Sequence, residues 1–167
     1  PQGYSSETGA DMLLTNAAAD INKPRGSLES LDDVTAIFKA QPEETMLNFL
    51  KASIKTYKEE TEDIKKLHQA YSDGRFEELI PLLEETEQRT LKLVDTKYAK
   101  AMSDWLKNDL LIRRNLAWLP EIRKQSAKQS TLFAVGIAHL PSEKGLIELL
   151  RQEGYQVTPE PKVLIWQ

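Results

Sequence analysis

His139 is the residue whose type and position most directly suggest chemistry, because it ends the motif Gly136-Ile-Ala-His139. The motif overlaps the end of a continuous apolar run at 131–136, a pattern typical of a strand buried on both faces. Ligands bind beyond the carboxyl ends of parallel strands, where an imidazole can ligate a metal or exchange protons near neutral pH. The alternative is a histidine that caps the next helix or packs in a turn, because G-x-x-H alone is a weak pattern.

Glu29 is the second candidate, and it ends a short segment at 26–29 that could be a strand pointing the same way. A carboxylate at this position could ligate a metal or act as a base. The alternative is a surface glutamate that precedes a helix, and the sequence alone favours it. Ser30 is a good N-cap for that helix.

Arg113 and Arg114 form the third candidate, because they lie in an otherwise apolar helix. Adjacent residues on a helix point about 100° apart, so at most one arginine is expected to face a site. A buried arginine needs an anionic partner, and Glu29 or a bound anion could serve. The alternative is that both arginines are solvated. The second histidine, His68, is interpreted as an ordinary surface residue of a long helix.

The helices that must position these groups occupy most of the chain. The longest periodic stretch covers 43–71, with an apolar stripe on one side and Lys and Glu on the other. Gly74 is expected to end it. Further helices are predicted at 86–107 and 109–127, with a break near 107–109.

The fold class predicted from these patterns is mixed α/β, predominantly helical with a small sheet. Its last part is interpreted as strand, short helix and strand, which favours a parallel right-handed unit. The predicted strands lie near 25–29, 131–136 and 155–158, with 163–166 as an optional fourth.

Composition narrows the class of protein. The 167 residues suggest about one domain. The absence of cysteine excludes a disulfide scaffold, a thiolate nucleophile and any sulfur-ligated zinc site. A net charge of −4 argues against a non-specific nucleic-acid binder, and no apolar run approaches the ~20 residues of a membrane span. No H-E-x-x-H pair is present, so a metal site using His139 needs further ligands from elsewhere in the fold or from outside the chain.

Three ordered blocks of sequence carry a more specific signal. They are Lys23-Pro-Arg-Gly-Ser-Leu-Glu29, Arg114-Asn115 with Trp118, and Phe133-Ala-Val-Gly-Ile-Ala-His-Leu-Pro141 with the closing Gly154-Tyr-Gln-Val157. Together they resemble the end of the TraB/GumN family, which is related to the TIKI proteases. The resemblance implies a mixed α/β fold and a site built from two G-x-x-H motifs, a Glu and an Arg.

The resemblance also implies roles for individual residues. Glu29, Arg114 and His139 are the expected catalytic residues, with Asn115 and Gly136 at the substrate-binding surface. His139 and Glu29 are the expected ligands of a divalent metal of the Mn²⁺ or Co²⁺ type. The implied reaction is metal-dependent hydrolysis of a peptide or protein substrate, in which the metal polarises the carbonyl or activates a water.

The chain departs from the family pattern in two ways. Val34 stands where many members carry Gln, and the first G-x-x-H is missing. The chain is therefore interpreted as a single domain, the C-terminal part of a protein about twice its length. We expect this part to be inactive by itself, and either to self-associate through exposed sheet edges or to expose a substantial apolar patch.

Two further expectations rest on the family resemblance. The resemblance favours a periplasmic, membrane-associated or secreted protein over a cytoplasmic one. The competing function is a non-catalytic module that binds or sequesters a peptide or protein through the helices at 43–127.

Overall fold

A computed structural model describes residues 9–159, and all regular secondary structure in that range is helical. The seven α-helices of this range are α1 (Ala10–Asp20), α2 (Leu31–Lys39), α3 (Glu43–Asp73), α4 (Leu79–Leu91), α5 (Thr96–Asp104), α6 (Arg113–Ser126) and α7 (Leu146–Gln152). A π-helical stretch, Trp105–Ile112, joins α5 to α6, and 3₁₀ turns occupy Phe76–Glu78 and Ile137–His139.

The predicted mixed α/β class is wrong for this part of the chain, which is all-α. The segments near 25–29, 131–136 and 155–158 form no strand, and the optional strand at 163–166 lies outside the described residues. Phe133 and Val135 pack on a core while their neighbours are exposed. This alternation suits a strand with one buried face, but a strand also needs a neighbouring backbone to pair with, and residues 9–159 supply none. Sheet edges are therefore absent from this range as a route to self-association.

Several predicted helix ends are confirmed. Ser30 Oγ accepts a hydrogen bond from the backbone N–H of Asp33 at 3.1 Å, and the Asp33 carboxylate accepts one from the Ser30 N–H at 2.9 Å. This reciprocal capping box starts α2. Gly74 ends α3 with φ of 69°, a left-handed conformation that glycine adopts at low cost.

The predicted break near 107–109 is wrong. The helix predicted at 86–107 is instead interrupted between α4 and α5, where the Asp95 carboxylate accepts a hydrogen bond from the Lys97 N–H at 3.0 Å. The chain then continues through the π-helical stretch into α6 without a break. The side chain of Asp95 outcompetes helix continuation because it satisfies a backbone donor at the new N-terminus.

Two hydrophobic cores hold the helices. The first joins α3, α4 and α5 through Ala52, Leu91, Val94, Met102 and Trp105. The second joins α6 to α7 through Trp118, Leu119, Ile122, Leu146 and Leu149. Leu28, Phe133 and Val135 pack against the second core, so it fixes the irregular segments around Glu29 and His139 to α6.

α3 presents an unexpected face to its neighbours. An apolar stripe normally faces a core, but the buried residues of α3 are small or polar: Thr45, Ala52, Thr56, Asp63 and Ala70. Asp63 accepts hydrogen bonds from Arg89 and from Thr86 Oγ1, the latter at 3.1 Å, and both donors lie on α4. Most of the predicted apolar stripe is consequently exposed. Across residues 9–159, no helix combines the length and apolarity that crossing a bilayer requires.

Candidate functional site

The first turns of α6 carry three side chains of the site. Arg114 and Trp118 are four residues apart and therefore lie on the same face of the helix. Arg114 also donates from Nη1 to the carbonyl oxygen of Leu110 at 3.0 Å, in the preceding π-helical stretch. This bond directs the guanidinium toward the start of the helix, where the Glu29 and His139 segments meet it.

Glu29 and Arg114 form a two-pronged ion pair. Arg114 Nε donates to Glu29 Oε2 at 3.0 Å, and Nη2 donates to Oε1 at 2.5 Å. Trp118 Nε1 adds a third donor to Oε2 at 3.2 Å. The two charged side chains keep only 22% and 19% of their surface exposed, and parallel hydrogen bonds of this kind are among the stronger polar contacts in proteins. The neighbouring Arg113 points elsewhere and pairs with Asp109 at 2.9 Å.

Asn115 determines which nitrogen of His139 carries the proton. Its Nδ2 donates to the carbonyl oxygens of His139 at 3.2 Å and of Lys144 at 2.9 Å, so the other amide atom must be the acceptor Oδ1. Oδ1 lies 2.7 Å from His139 Nδ1. Nδ1 therefore bears the hydrogen and donates, and in the neutral ring Nε2 keeps a lone pair.

The lone pair of His139 faces Arg114. Arg114 Nη1 approaches Nε2 at 3.3 Å, the longest of the hydrogen bonds made by this guanidinium. The His139 ring also packs on the ring of Trp118, with centroids 4.5 Å apart. Arg114 Cζ stands 4.9 Å from the Trp118 ring, a cation–π distance. One tryptophan thus supports both the base and the cation.

The ionisation states follow from these contacts. The hydrogen bonds from Arg114 lower the pKa of Glu29, against the opposing effect of burial. Burial lowers the pKa of His139, the positive charge of Arg114 lowers it further, and the Glu29 carboxylate acts in the opposite direction. At neutral pH the site therefore combines a carboxylate, a guanidinium and a neutral imidazole.

The donor set of the described residues does not fit a metal ion in this arrangement. Residues 9–159 contain no group of three or more His, Asp or Glu side chains able to hold one. Both oxygens of Glu29 accept hydrogen bonds from Arg114, and the guanidinium also occupies Nε2 of His139. A metal ion here would have only two ligands, Glu29 and His139, and would lie beside the positive charge of Arg114. Metal ligation by Glu29 and His139 therefore stays a prediction that needs further ligands.

The predicted catalytic residues Glu29, Arg114 and His139 come together, although 85 residues separate Glu29 from Arg114 along the chain. Asn115 is 2% exposed and its amide is used within the chain, so it positions His139 rather than facing solvent. Gly136 lies beside the imidazole: a Cβ built there would stand 3.7 Å from His139 Cδ2. Two surface pockets lie near Tyr155 and around 140–152, and neither is lined by the three clustered residues.

Two contributors to this site received no role from the sequence. Trp118 belongs to the block with Arg114 and Asn115, and its spacing of four from Arg114 places it on the same helix face. The requirement for Gly145 arises from a close backbone approach, which the sequence does not show. A Cβ on Gly145 would lie 1.9 Å from the carbonyl oxygen of Pro141, so this loop conformation requires glycine next to Lys144, whose carbonyl oxygen accepts from Asn115.

Comparison with known proteins gives one result. The model of the TraB/PrgY/gumN family matches residues 1–159 of the 167. Neither the curated proteins nor the solved structures include a match.

Proposed function

Because the chain belongs to the TraB/PrgY/gumN family, we propose that the protein to which it belongs hydrolyses peptide bonds. In this proposal the cluster of Glu29, Arg114 and His139 supplies proton transfer and charge stabilisation. The expectation of a peptide substrate comes from the resemblance to the TIKI proteases. The assignment of roles comes from the contacts of the cluster.

The observation that carries the proposal is the fixed tautomer of His139. A general base must hold a lone pair toward the reacting proton and is commonly oriented by a third group. Asn115 holds Nδ1–H at 2.7 Å and leaves Nε2 as the acceptor. With its pKa lowered, the imidazole is neutral at pH 7 and ready to accept a proton from water attacking the substrate carbonyl. The imidazolium then returns that proton to the leaving amine.

Arg114 and Glu29 support this transfer in different ways. The four hydrogen bonds of Arg114 use four of its five N–H groups. The remaining Nη2 hydrogen could donate to a substrate carbonyl as negative charge develops. Glu29 stays ionised, holds the guanidinium in place and favours the charged imidazole that forms during the reaction. For catalysis, water must replace the 3.3 Å contact between Arg114 and Nε2.

The expected metal and location are part of the same proposal. A Mn²⁺- or Co²⁺-type ion would draw its ligands from outside residues 9–159 while Nε2 of His139 serves as the base. The other expectation, ligation by Glu29 and His139, would use the lone pair of Nε2 and so exclude that role. The family resemblance favours the periplasm, the membrane surface or the exterior over the cytoplasm.

The proposal is tested on the full-length protein with a fluorogenic library of unstructured peptides, assayed with EDTA, Mn²⁺ or Co²⁺. We expect His139→Gln to lower kcat by at least ~100-fold, the usual contribution of a general acid–base group. His68→Gln is the matched control, because His68 is the other histidine of the chain and is exposed on α3. Cleavage that survives in folded His139→Gln protein would overturn the assignment. The 167-residue chain, assayed in parallel, is expected to be inactive.

A binding module is the second candidate. Its support is that Glu29 and His139 are satisfied by partners within the chain and line neither of the two pockets. In that case the cluster only fastens the segments around Glu29 and His139 to α6. The full-length protein would then bind peptides without cleaving them, and His139→Gln would change its stability but not its affinity for those peptides.

A further inference from the structure

α3 carries a line of exposed apolar side chains on the side opposite its packed face. We name the line the α3 ridge: Leu47, Leu50, Ile54, Tyr57, Ile64 and Tyr71. Ile54 and Tyr57 are 67% and 66% exposed. Isolated exposed apolar residues are ordinary on protein surfaces, but six that recur on one face of one helix form an apolar stripe, and exposed apolar surface of this kind marks interaction sites.

The ridge has the spacing of a coiled-coil seam. Its members are separated by three, four, three, seven and seven residues, which places all of them at positions a and d of a single heptad frame. The two remaining a positions carry Thr61 and His68. A repeat of 3.5 residues keeps the seam facing one partner helix when the two helices wind around each other in a left-handed supercoil. α3 contacts α4 and α5 from its other side.

Apart from the edge-on contact of Tyr71 with Phe76, whose ring centroids are 5.8 Å apart, the ridge contributes little to the fold described above. α3 is anchored by its opposite face, where Asp63 binds Arg89 and Thr86. On the same face, Glu60 Oε1 accepts from Thr90 Oγ1 at 2.8 Å. These polar contacts fix the rotation of α3 and leave the ridge outward. Replacing a ridge residue should therefore leave the core intact.

The charge beside the ridge indicates the kind of partner. Lys51, Lys58 and Lys65 recur every seven residues at the e position and are exposed. The opposite g flank holds Ser53, Glu60 and Leu67, all only partly exposed. The accessible flank of the ridge is therefore a row of lysines. In coiled coils the residues flanking the seam select the partner by charge, so this row favours an acidic partner.

These charges disfavour a second copy of the chain. In an antiparallel pair, the lysine rows would face each other. In a parallel pair they would face Ser53, Glu60 and Leu67, of which only Glu60 is acidic, and its Oε1 already accepts from Thr56 and Thr90. We propose that the α3 ridge docks an amphipathic helix of another protein that has apolar residues at a and d and Asp or Glu on its flanks.

A designed probe tests this directly. It is a four-heptad peptide with Leu at a and d and Glu at e and g, which cannot readily pair with itself because its flanks repel. Its affinity for the full-length protein is measured by fluorescence anisotropy, alongside the same peptide with Lys in place of Glu. We expect the acidic peptide to bind at least about tenfold more tightly than the basic one.

Two variants and one control define the surface. Ile54→Ser should weaken binding of the acidic peptide at least about tenfold, because it removes a central seam residue. Lys58→Glu should weaken the acidic peptide and strengthen the basic one. Lys55→Glu is the matched control, since Lys55 is exposed on the same helix but at the b position, and it should leave the preference unchanged.

The other occupants are distinguishable outcomes. Equal binding of the two peptides, or none, overturns the proposal. Binding to vesicles of anionic lipid that is lost in Ile54→Ser, without peptide binding, would instead assign the ridge to a membrane surface. A protein that dimerises alone by light scattering, and becomes monomeric in Ile54→Ser, would assign it to a second copy. None of these results bears on peptide cleavage at His139.

Discussion

Asn115 Oδ1 lies 2.7 Å from His139 Nδ1, and the same amide donates to the backbone carbonyls of His139 and Lys144. One buried side chain therefore fixes both the ring and the backbone on either side of the turn that follows it. Because Asn115 is only 2% exposed, solvent does not reach its amide to replace the hydrogen bonds to the imidazole and to the two backbone carbonyls. The amide joins α6 to the loop at 139–144.

Asn115→Ala should lower the free energy of unfolding by about 2–4 kcal/mol, because it leaves buried partners unsatisfied. Urea unfolding followed by circular dichroism measures the loss. Asn48→Ala is the control: Asn48 donates only one exposed hydrogen bond, to the Glu44 carbonyl oxygen at 2.8 Å, and its loss should cost under about 1 kcal/mol. Equal losses in the two variants would contradict the central position given to Asn115.

Glu29→Gln should destabilise the protein by about 2–4 kcal/mol, because it leaves the mostly buried guanidinium of Arg114 without its counter-charge. The same substitution should lower the kcat of the proposed reaction, since Arg114 would no longer be held in place. Glu59→Gln, at an exposed position of α3, should change the free energy of unfolding by no more than about 0.5 kcal/mol. A Glu29→Gln protein as stable as the parent would show that the pair contributes nothing net to folding.

Gly145→Ala should destabilise the loop that precedes α7. The added Cβ would stand 1.9 Å from the carbonyl oxygen of Pro141 and 2.3 Å from that of Leu140, and backbone atoms cannot move aside cheaply. We expect a loss of about 2 kcal/mol or more, measured as a fall in Tm. Gly26→Ala is the matched control, because its Cβ would meet no atom within 4 Å; a fall in Tm of the same size there would contradict the steric explanation.

The pairing of Arg114 with Glu29 was one of two possibilities that the sequence offered. An arginine in an apolar helix needs an anionic partner, but the chain has 26 acidic side chains, and a bound anion would have served as well. That the predicted strand at 131–136 does not form could not be foreseen, because an apolar run does not reveal whether a second backbone lies beside it. The tautomer of His139 was equally out of reach. It depends on Asn115, whose partners lie 24 and 29 residues further along the chain.

The exposure of the α3 ridge could not be predicted from the sequence for a different reason. A periodic apolar stripe predicts the amphipathic character of a helix but not which face it packs. Thr56 and Asp63 form a competing polar face that contacts α4: Thr56 Oγ1 lies 3.3 Å from Thr90 Oγ1, and Asp63 accepts a hydrogen bond from Thr86. This face is buried instead. Polar contacts of that kind depend on two helices meeting, so their strength cannot be judged from α3 alone.

Acidification should destabilise the protein in two stages. The pKa of His139 is lowered from 6.5, chiefly by burial. Just below pH 6.5 the imidazole is therefore protonated in the unfolded chain but still neutral in the folded protein. The contribution of the neutral His139 to the free energy of unfolding is therefore fully present above pH 6.5, the pKa in the unfolded chain. It declines as the pH falls toward the pKa of His139 in the folded protein. The pKa of Glu29 is lowered from 4.5 by Arg114, so its contribution is lost only below pH 4.5. His139→Gln should flatten the pH dependence of the free energy of unfolding, measured with urea, between pH 7 and 5. A His139→Gln protein with the parent's full slope in that window would contradict the buried, neutral imidazole.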